Sequence, residues 1–205
     1  MALTSTRSGL FYLASASLRR LDLLKQVGLQ PELLLPSCHE DPEALEAVLP
    51  CESPQAYVQR VAQLKWQAAH HRLVQQNLTP GPILTADTTV ALGQRIIGKP
   101  QNHQEAREIL QALSGKTHRV MTAVVVGLGN RTLTVLNTNQ VIFDTILPED
   151  LERYVLSKEP MGKAGAYGIQ GAAAQWVSKI TGSYSGIMGL PLHETLKLLR
   201  RFEVF

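Results

Sequence analysis

Between Pro82 and Leu92 the chain reads P-I-L-T-A-D-T-T-V-A-L, an apolar run broken near its centre by one carboxylate, Asp87. Ile83, Leu84, Val90 and Leu92 give the pattern of a buried strand. Leaving a carboxylate unpaired in such a place costs on the order of several kcal/mol, so Asp87 needs a partner, a metal ion or a proton. Lys99 follows on the turn Gly98-Lys99-Pro100. An acid on a core strand with a lysine returned by the next turn makes a floor for acid–base chemistry. An aspartate that merely caps the end of a strand would show the same residue, so the rest of the chain has to decide.

Four further groups bear on it. In Ser15-Ala16-Ser17-Leu18-Arg19-Arg20, two arginines stand in what reads as the first turn of a helix. Cations there oppose the macrodipole, and the conflict disappears if an anion sits among Arg19, Arg20, the Ser15 and Ser17 hydroxyls and the free amides. Solvated surface arginines are the simpler alternative. Lys65 projects into the middle of an arc of about 120° formed by Val58, Val61, Ala62, Ala68 and Ala69 at ~100° per residue. It reads either as a snorkelling stem or as a cation pointing into a cleft. Glu40 lies in an acidic stretch where a solvated glutamate is ordinary, yet with Asp87 it could supply the oxygen ligands of one Mg²⁺. In Lys163 to Gly171, Gln170 stands between Ile169 and Gly171. Its amide offers one acceptor and one donor, matching the N3–H and O4 edge of uracil or thymine. A hypoxanthine edge would match as well, and a glycine-rich turn with a structural glutamine is the plain alternative.

The frame that positions these groups can be traced by pattern. Leu10 to Ala14 reads as a strand, and Ser17 as the N-cap of a helix from Leu18 to Val27 stopped by Gly28. Leu33 to Leu35 is a possible second strand, and Ser37 to Pro50 an acidic loop. Ser53-Pro54 opens a long helix running to about Gln76. The Asp87 strand turns at Leu92 to Arg95 into a return arm, Ile96 to Gly98. Asn102 and Glu105 form a capping box for a helix ended by Gly115. His118 to Leu128 and Arg131 to Ile146 are β-rich, with Thr88 of the Asp87 strand a polar neighbour to the site. Pro148 to Ser157 is a short helix, Lys158 to Gly189 an irregular glycine-rich stretch, and Leu192 to Arg201 a last amphipathic helix. Alternation with one antiparallel run in the middle predicts an α/β fold with a mixed β-sheet, residues 1–205 forming one domain of two lobes around a central cleft.

Composition excludes several classes. The chain has 205 residues, 44% apolar and 18% charged, as for an ordinary globular protein. Its net charge of +3 suits an anionic ligand. No Lys/Arg run exceeds two residues and aromatics reach only 5%, which argues against nucleic acid as a partner. Cys38 and Cys51 form no CxxC pair, so a reduced cytoplasmic chain is expected. The histidines show no zinc spacing, and a carboxylate-held Mg²⁺ or Mn²⁺ is the expected cofactor. The apolar run after Arg7 is too short for a leader, and no stretch approaches a membrane span. With no GxxxxGK[ST] and no GxGxxG after a strand, four cations, two acids and a base-reading amide point to a nucleoside polyphosphate with a divalent ion.

These motifs together resemble the Maf family of nucleoside triphosphate pyrophosphatases. The stretches that carry the resemblance are Leu13 to Arg20, Ala86-Asp87-Thr88-Thr89-Val90 with Gly98-Lys99-Pro100, Leu113-Ser114-Gly115 with His118 and Val120, Lys163 to Gly171, and Gly189-Leu190-Pro191-Leu192. The resemblance implies a two-lobed fold like that of the inosine triphosphate pyrophosphatases. It implies a house-cleaning hydrolase of nucleotide metabolism that cleaves a nucleoside triphosphate to the monophosphate and pyrophosphate, with divalent metal, a cytoplasmic location and a homodimer. It makes Asp87 the general base, Glu40 and Asp87 the metal carboxylates, and Arg19, Arg20, Lys65 and Lys99 the phosphate contacts. Arg19, Thr88 and Gln170 fall where the family sets substrate choice, and Gly-Ile-Gln-Gly is similar to the branch acting on dTTP and UTP, modified pyrimidine nucleotides included. The chain departs from the family pattern in Leu18, where proline is usual, and in His39, where an acid is usual. Alternatives are a pyrophosphatase for 7-methyl-GTP or other modified purine triphosphates, a nucleotide-binding regulator of cell division without turnover, and a nucleic-acid module.

Overall fold

A computed structural model describes residues 9–37 and 40–205, so Cys38, His39 and Arg7 lie outside the described residues. Seven strands form one mixed sheet in the order β2-β1-β3-β5-β6-β7, with β4 beside β3. The strands are β1 (Tyr12–Leu13), β2 (Glu32–Leu33), β3 (Ile83–Leu92), β4 (Arg95–Ile97), β5 (Thr117–Leu128), β6 (Arg131–Phe143) and β7 (Val177–Thr181). The three N-terminal positions are parallel, β2 to β1 and β1 to β3. From β3 through β5 and β6 to β7 the pairing is antiparallel. The helices are α1 (Leu18–Gln26), α2 (Pro54–Gln75), α3 (His103–Leu113), α4 (Pro148–Leu156), α5 (Tyr184–Met188) and α6 (Leu192–Arg200). The expected mixed-sheet α/β architecture is therefore the observed one.

The period of two along β3 divides the molecule. Ile83 and Ala91 pack with Val58, Val61, Ala62 and Trp66 of α2. Leu84 and Ala86 pack with Leu23 and Leu24 of α1 and Leu199 of α6 on the opposite face. A third cluster joins Val90, Val120 and Phe143 to Ile109 of α3, Val155 of α4 and Tyr167. Asp87 follows the odd-numbered residues towards α2, and Thr88 follows the even-numbered ones towards α1.

The local devices differ in detail from those the sequence suggests. The β1 and β2 strands keep only two residues each, and β6 stops at Phe143 rather than Ile146. Ser17 occupies the N-cap of α1 but its hydroxyl makes no capping bond; Ser15 Oγ accepts the Ser17 amide instead, at 3.2 Å. Asn102 caps α3 by accepting the Glu105 amide, while Glu105 answers the Gln101 amide rather than that of Asn102. The glycine-rich stretch contains β7 and α5. Asn139 of β6 accepts the Ser183 amide at 2.6 Å, and Ser183 Oγ accepts the Gly186 amide at 3.0 Å, which fixes the start of α5.

Candidate active site

One cavity of about 780 Å³ opens between the sheet, α1, α2 and the segment from Gly162 to Gln170. Asp87, Ser15, Arg19, Arg20, Lys65, Thr88, Lys99, Gln170 and Glu40 all line it. They arrive from separate elements: the β1–α1 turn and the start of α1, the loop after β2, the middle of α2, the centre of β3, the turn after β4 and the glycine-rich segment.

Its floor is an ion-pair chain. Lys65 Nζ donates to Asp87 Oδ1 at 2.6 Å and to Glu46 Oε1 at 2.7 Å. Lys99 Nζ donates to Glu46 Oε2 at 2.7 Å. Asp87 is thus the buried acid and Lys65 the inward cation, on facing surfaces of β3 and α2. Among the described residues, the hydrogen bonds to the Asp87 side chain engage Oδ1 alone, which leaves Oδ2 to accept a proton. Burial pushes the Glu46 carboxyl up, but Lys65 and then Lys99 outweigh that and hold it below the usual carboxylate range.

Arg20 and Arg19, adjacent in sequence, do different things. Arg20 donates through Nε to the Gly189 carbonyl (2.8 Å), through one terminal nitrogen to Ser15 Oγ (3.1 Å) and through the other to Thr88 Oγ1 (3.2 Å). Thr122 Oγ1 donates to the Gly186 carbonyl, so the proton in its 2.9 Å bond with Thr88 Oγ1 comes from Thr88. Arg20, Ser15 and Thr88 thereby tie α1, β3 and α5 together around the cavity. Neither arginine makes an ion pair with a described residue, so both guanidinium charges are left to meet an anion, Arg20 from a fixed position. Gln170 is exposed at the cavity wall.

Glu40 is placed by Arg72. The Arg72 guanidinium donates to both Glu40 oxygens, at 2.9 and 2.5 Å, and to the Leu34 carbonyl at 2.8 Å. That pairing lowers the Glu40 carboxyl to about 2, so it is ionised at neutral pH, the form a hard cation requires. Among the described residues no group of three His, Cys, Asp or Glu side chains is placed to hold a metal ion by itself. An oxygen-only pair suits an ion that completes its coordination with phosphates and water.

Glu46, Arg72 and Tyr57 are parts of this site that pattern reading does not single out. Arg72 lies two turns after Lys65 on the same helix, and that spacing was the available signal. Glu46 sits on a one-turn 3₁₀ helix, Ala44–Glu46, in an acidic loop without periodicity. Tyr57 donates its hydroxyl to the Glu46 carbonyl at 2.9 Å.

The Maf-like protein family model matches residues 10–202. The dTTP/UTP pyrophosphatase of Polaromonas sp. is 56% identical over 189 residues, covering 92% of this chain and 94% of the relative. That of Cupriavidus metallidurans is 55% identical over 193 residues, covering 94% and 96%. That of Albidiferax ferrireducens is 51% identical over 195 residues, covering 95% and 98%. By the extent of both matches, this chain belongs to the Maf family.

Proposed function

We propose that this protein is a nucleoside triphosphate pyrophosphatase that hydrolyses dTTP and UTP to the monophosphate and pyrophosphate. What supports this most is the convergence of Asp87, Lys65, Lys99, Arg19 and Gln170 on a single cavity, in a chain at least 51% identical to relatives named for that activity. The cationic side chains Arg19, Lys65 and Lys99 bind and neutralise the triphosphate and the leaving pyrophosphate, most of what phosphoryl transfer asks of a protein. Asp87 accepts at Oδ2 the proton of the water that attacks the α-phosphorus, while Lys65 holds its other oxygen. Gln170 reads the pyrimidine edge, where a mismatched base leaves polar groups unpaired.

Asp87 and Glu40 would hold a divalent cation, Mg²⁺ or Mn²⁺. Bound there, it supplies charge neutralisation across the phosphates. Among the described residues no helix is long and apolar enough to cross a membrane. A cytoplasmic place of action, without nucleic acid or membrane as partner, fits a free nucleotide substrate.

The test is a panel of nucleoside triphosphates with Mg²⁺ or Mn²⁺, scored for pyrophosphate against single-phosphate release. dTTP and UTP should lead, and Asp87→Asn should lose at least ~10²-fold in kcat with the fold intact. Equal turnover by that variant, or a purine triphosphate as the leading substrate, would overturn the reading.

A further inference from the structure

Lys65 and Lys99, the lysines expected to contact phosphate, are both already paired with carboxylates. Glu46 spans them, one carboxylate oxygen on each ammonium at 2.7 Å. Two ammonium groups and two carboxylates, Lys65, Lys99, Asp87 and Glu46, therefore cancel in the floor of the cavity. Beyond that floor, an incoming polyphosphate meets the charges of Arg19 and Arg20 at the start of α1, unpaired among the described residues.

We infer that Glu46 is a gate that competes with the polyphosphate tail for Lys65 and Lys99: it must swing out for substrate to seat, and its return expels pyrophosphate. This inference rests on the reading of the cavity as a triphosphate site. Its geometry suits such a gate. The Glu46 side chain retains 21% exposure, a path to solvent. Its neighbours Glu43, Ala44, Ala47, Val48 and Leu49 are exposed, so little apolar contact resists opening. The segment is nevertheless returned to one place. Tyr57 Oη donates to the Glu46 carbonyl at 2.9 Å, and Arg60 donates to the Ala47 carbonyl at 2.8 Å while pairing with Glu52 at 2.6 Å. Both anchors lie on the first two turns of α2, outside the cation pair itself.

Charge makes the gate selective. A single carboxylate yields to a triphosphate or to metal-bound polyphosphate, which offers several anionic oxygens to the same two lysines. A monophosphate offers fewer. Glu46 thus sets a threshold of anionic charge for entry and shortens the stay of the pyrophosphate product.

The experiment is titration of inorganic pyrophosphate into wild type, Glu46→Gln and Tyr57→Phe, with thermal melts confirming that each is folded. Pyrophosphate should bind Glu46→Gln about fivefold more tightly, the scale of losing one partly exposed charge pair. Tyr57→Phe, which loosens only the tether, should shift binding the same way by less. Product inhibition by pyrophosphate should strengthen in parallel. Pyrophosphate binding unchanged or weaker in Glu46→Gln would overturn the gate, because Glu46 would then be neutral towards the tail or help to hold it. The two readings separate cleanly. Tighter pyrophosphate binding with no nucleotide cleavage keeps the gate and removes the proposed function; nucleotide cleavage without tighter binding removes the gate alone.

Discussion

Asp87 and Lys65 depend on each other. Asp87 is 5% exposed and its carboxylate is tolerable in the β3 core because Lys65 sits 2.6 Å away. Removing either partner from such a pair commonly costs about 3–5 kcal/mol. His118 is another buried titratable group beside the cavity. Its Nε2 lies 2.7 Å from the Tyr167 hydroxyl, and its ring meets Phe143 edge-on. Tyr167 belongs to the segment that presents Gln170, so His118 positions that wall of the cavity. Burial pushes the His118 pKa down to about 4. Above about pH 6.5 the imidazole is neutral in both folded and unfolded chains and its contribution is complete. Between there and pH 4 the unfolded chain binds the extra proton, so stability falls as pH falls, by up to about 3 kcal/mol. Denaturant unfolding of wild type should show that loss, and His118→Phe, weaker at neutral pH, should show much less of it. Equal pH slopes in the two proteins would contradict the account. Asp87 and Lys65 are legible in sequence because each breaks an apolar pattern. Glu46 and Arg72 are not legible as site residues, since their meaning comes from partners distant in sequence.

Among the elements, α2 carries most of the positioning. Ser53 accepts the Ala56 amide at 3.2 Å and Pro54 sets the first turn, both visible in the sequence. Thr85 Oγ1 of β3 donates to the Ala62 carbonyl at 3.1 Å, which pins the helix to the strand one turn before Lys65. Close approach to β5 depends on Gly127, where a Cβ would come within 2.6 Å of the Trp66 ring. Gly127→Ala should push α2 away from the sheet and cost about 1–3 kcal/mol. Since Lys65 adjoins Trp66, turnover should fall as well. A thermal melt and one activity assay check both, and a variant as stable and active as wild type would refute the packing argument. The long elements α2, β3, α3 and β5 could be read because they present a full period. The α5 helix could not: at five residues with Gly186 inside it, it shows no amphipathic repeat, and its place is set by Asn139 and Ser183 across the sheet.

On the scale of the whole molecule, the site exists because β3 is used on both faces. Its odd-numbered residues give Asp87 to α2, and its even-numbered ones give Thr88 to Arg20 and, through Thr122, to α5. An interior strand, paired with β1, β4 and β5, therefore holds both the acid and the frame of the helix start that would cradle phosphate. The mixed sheet follows from alternation of pattern, but closure of the cavity does not. It depends on contacts such as Arg20 with Gly189, 169 residues apart, which no local pattern encodes.

The central claim is that water activated at Asp87 attacks the α-phosphorus of a bound pyrimidine nucleoside triphosphate. The most direct measurement is hydrolysis of dTTP with Mg²⁺ in water enriched in heavy oxygen, followed by mass analysis of the products. The account predicts one labelled oxygen in the nucleoside monophosphate and unlabelled pyrophosphate. Label in pyrophosphate, or in a single released phosphate, would place the attack at another phosphorus and contradict it.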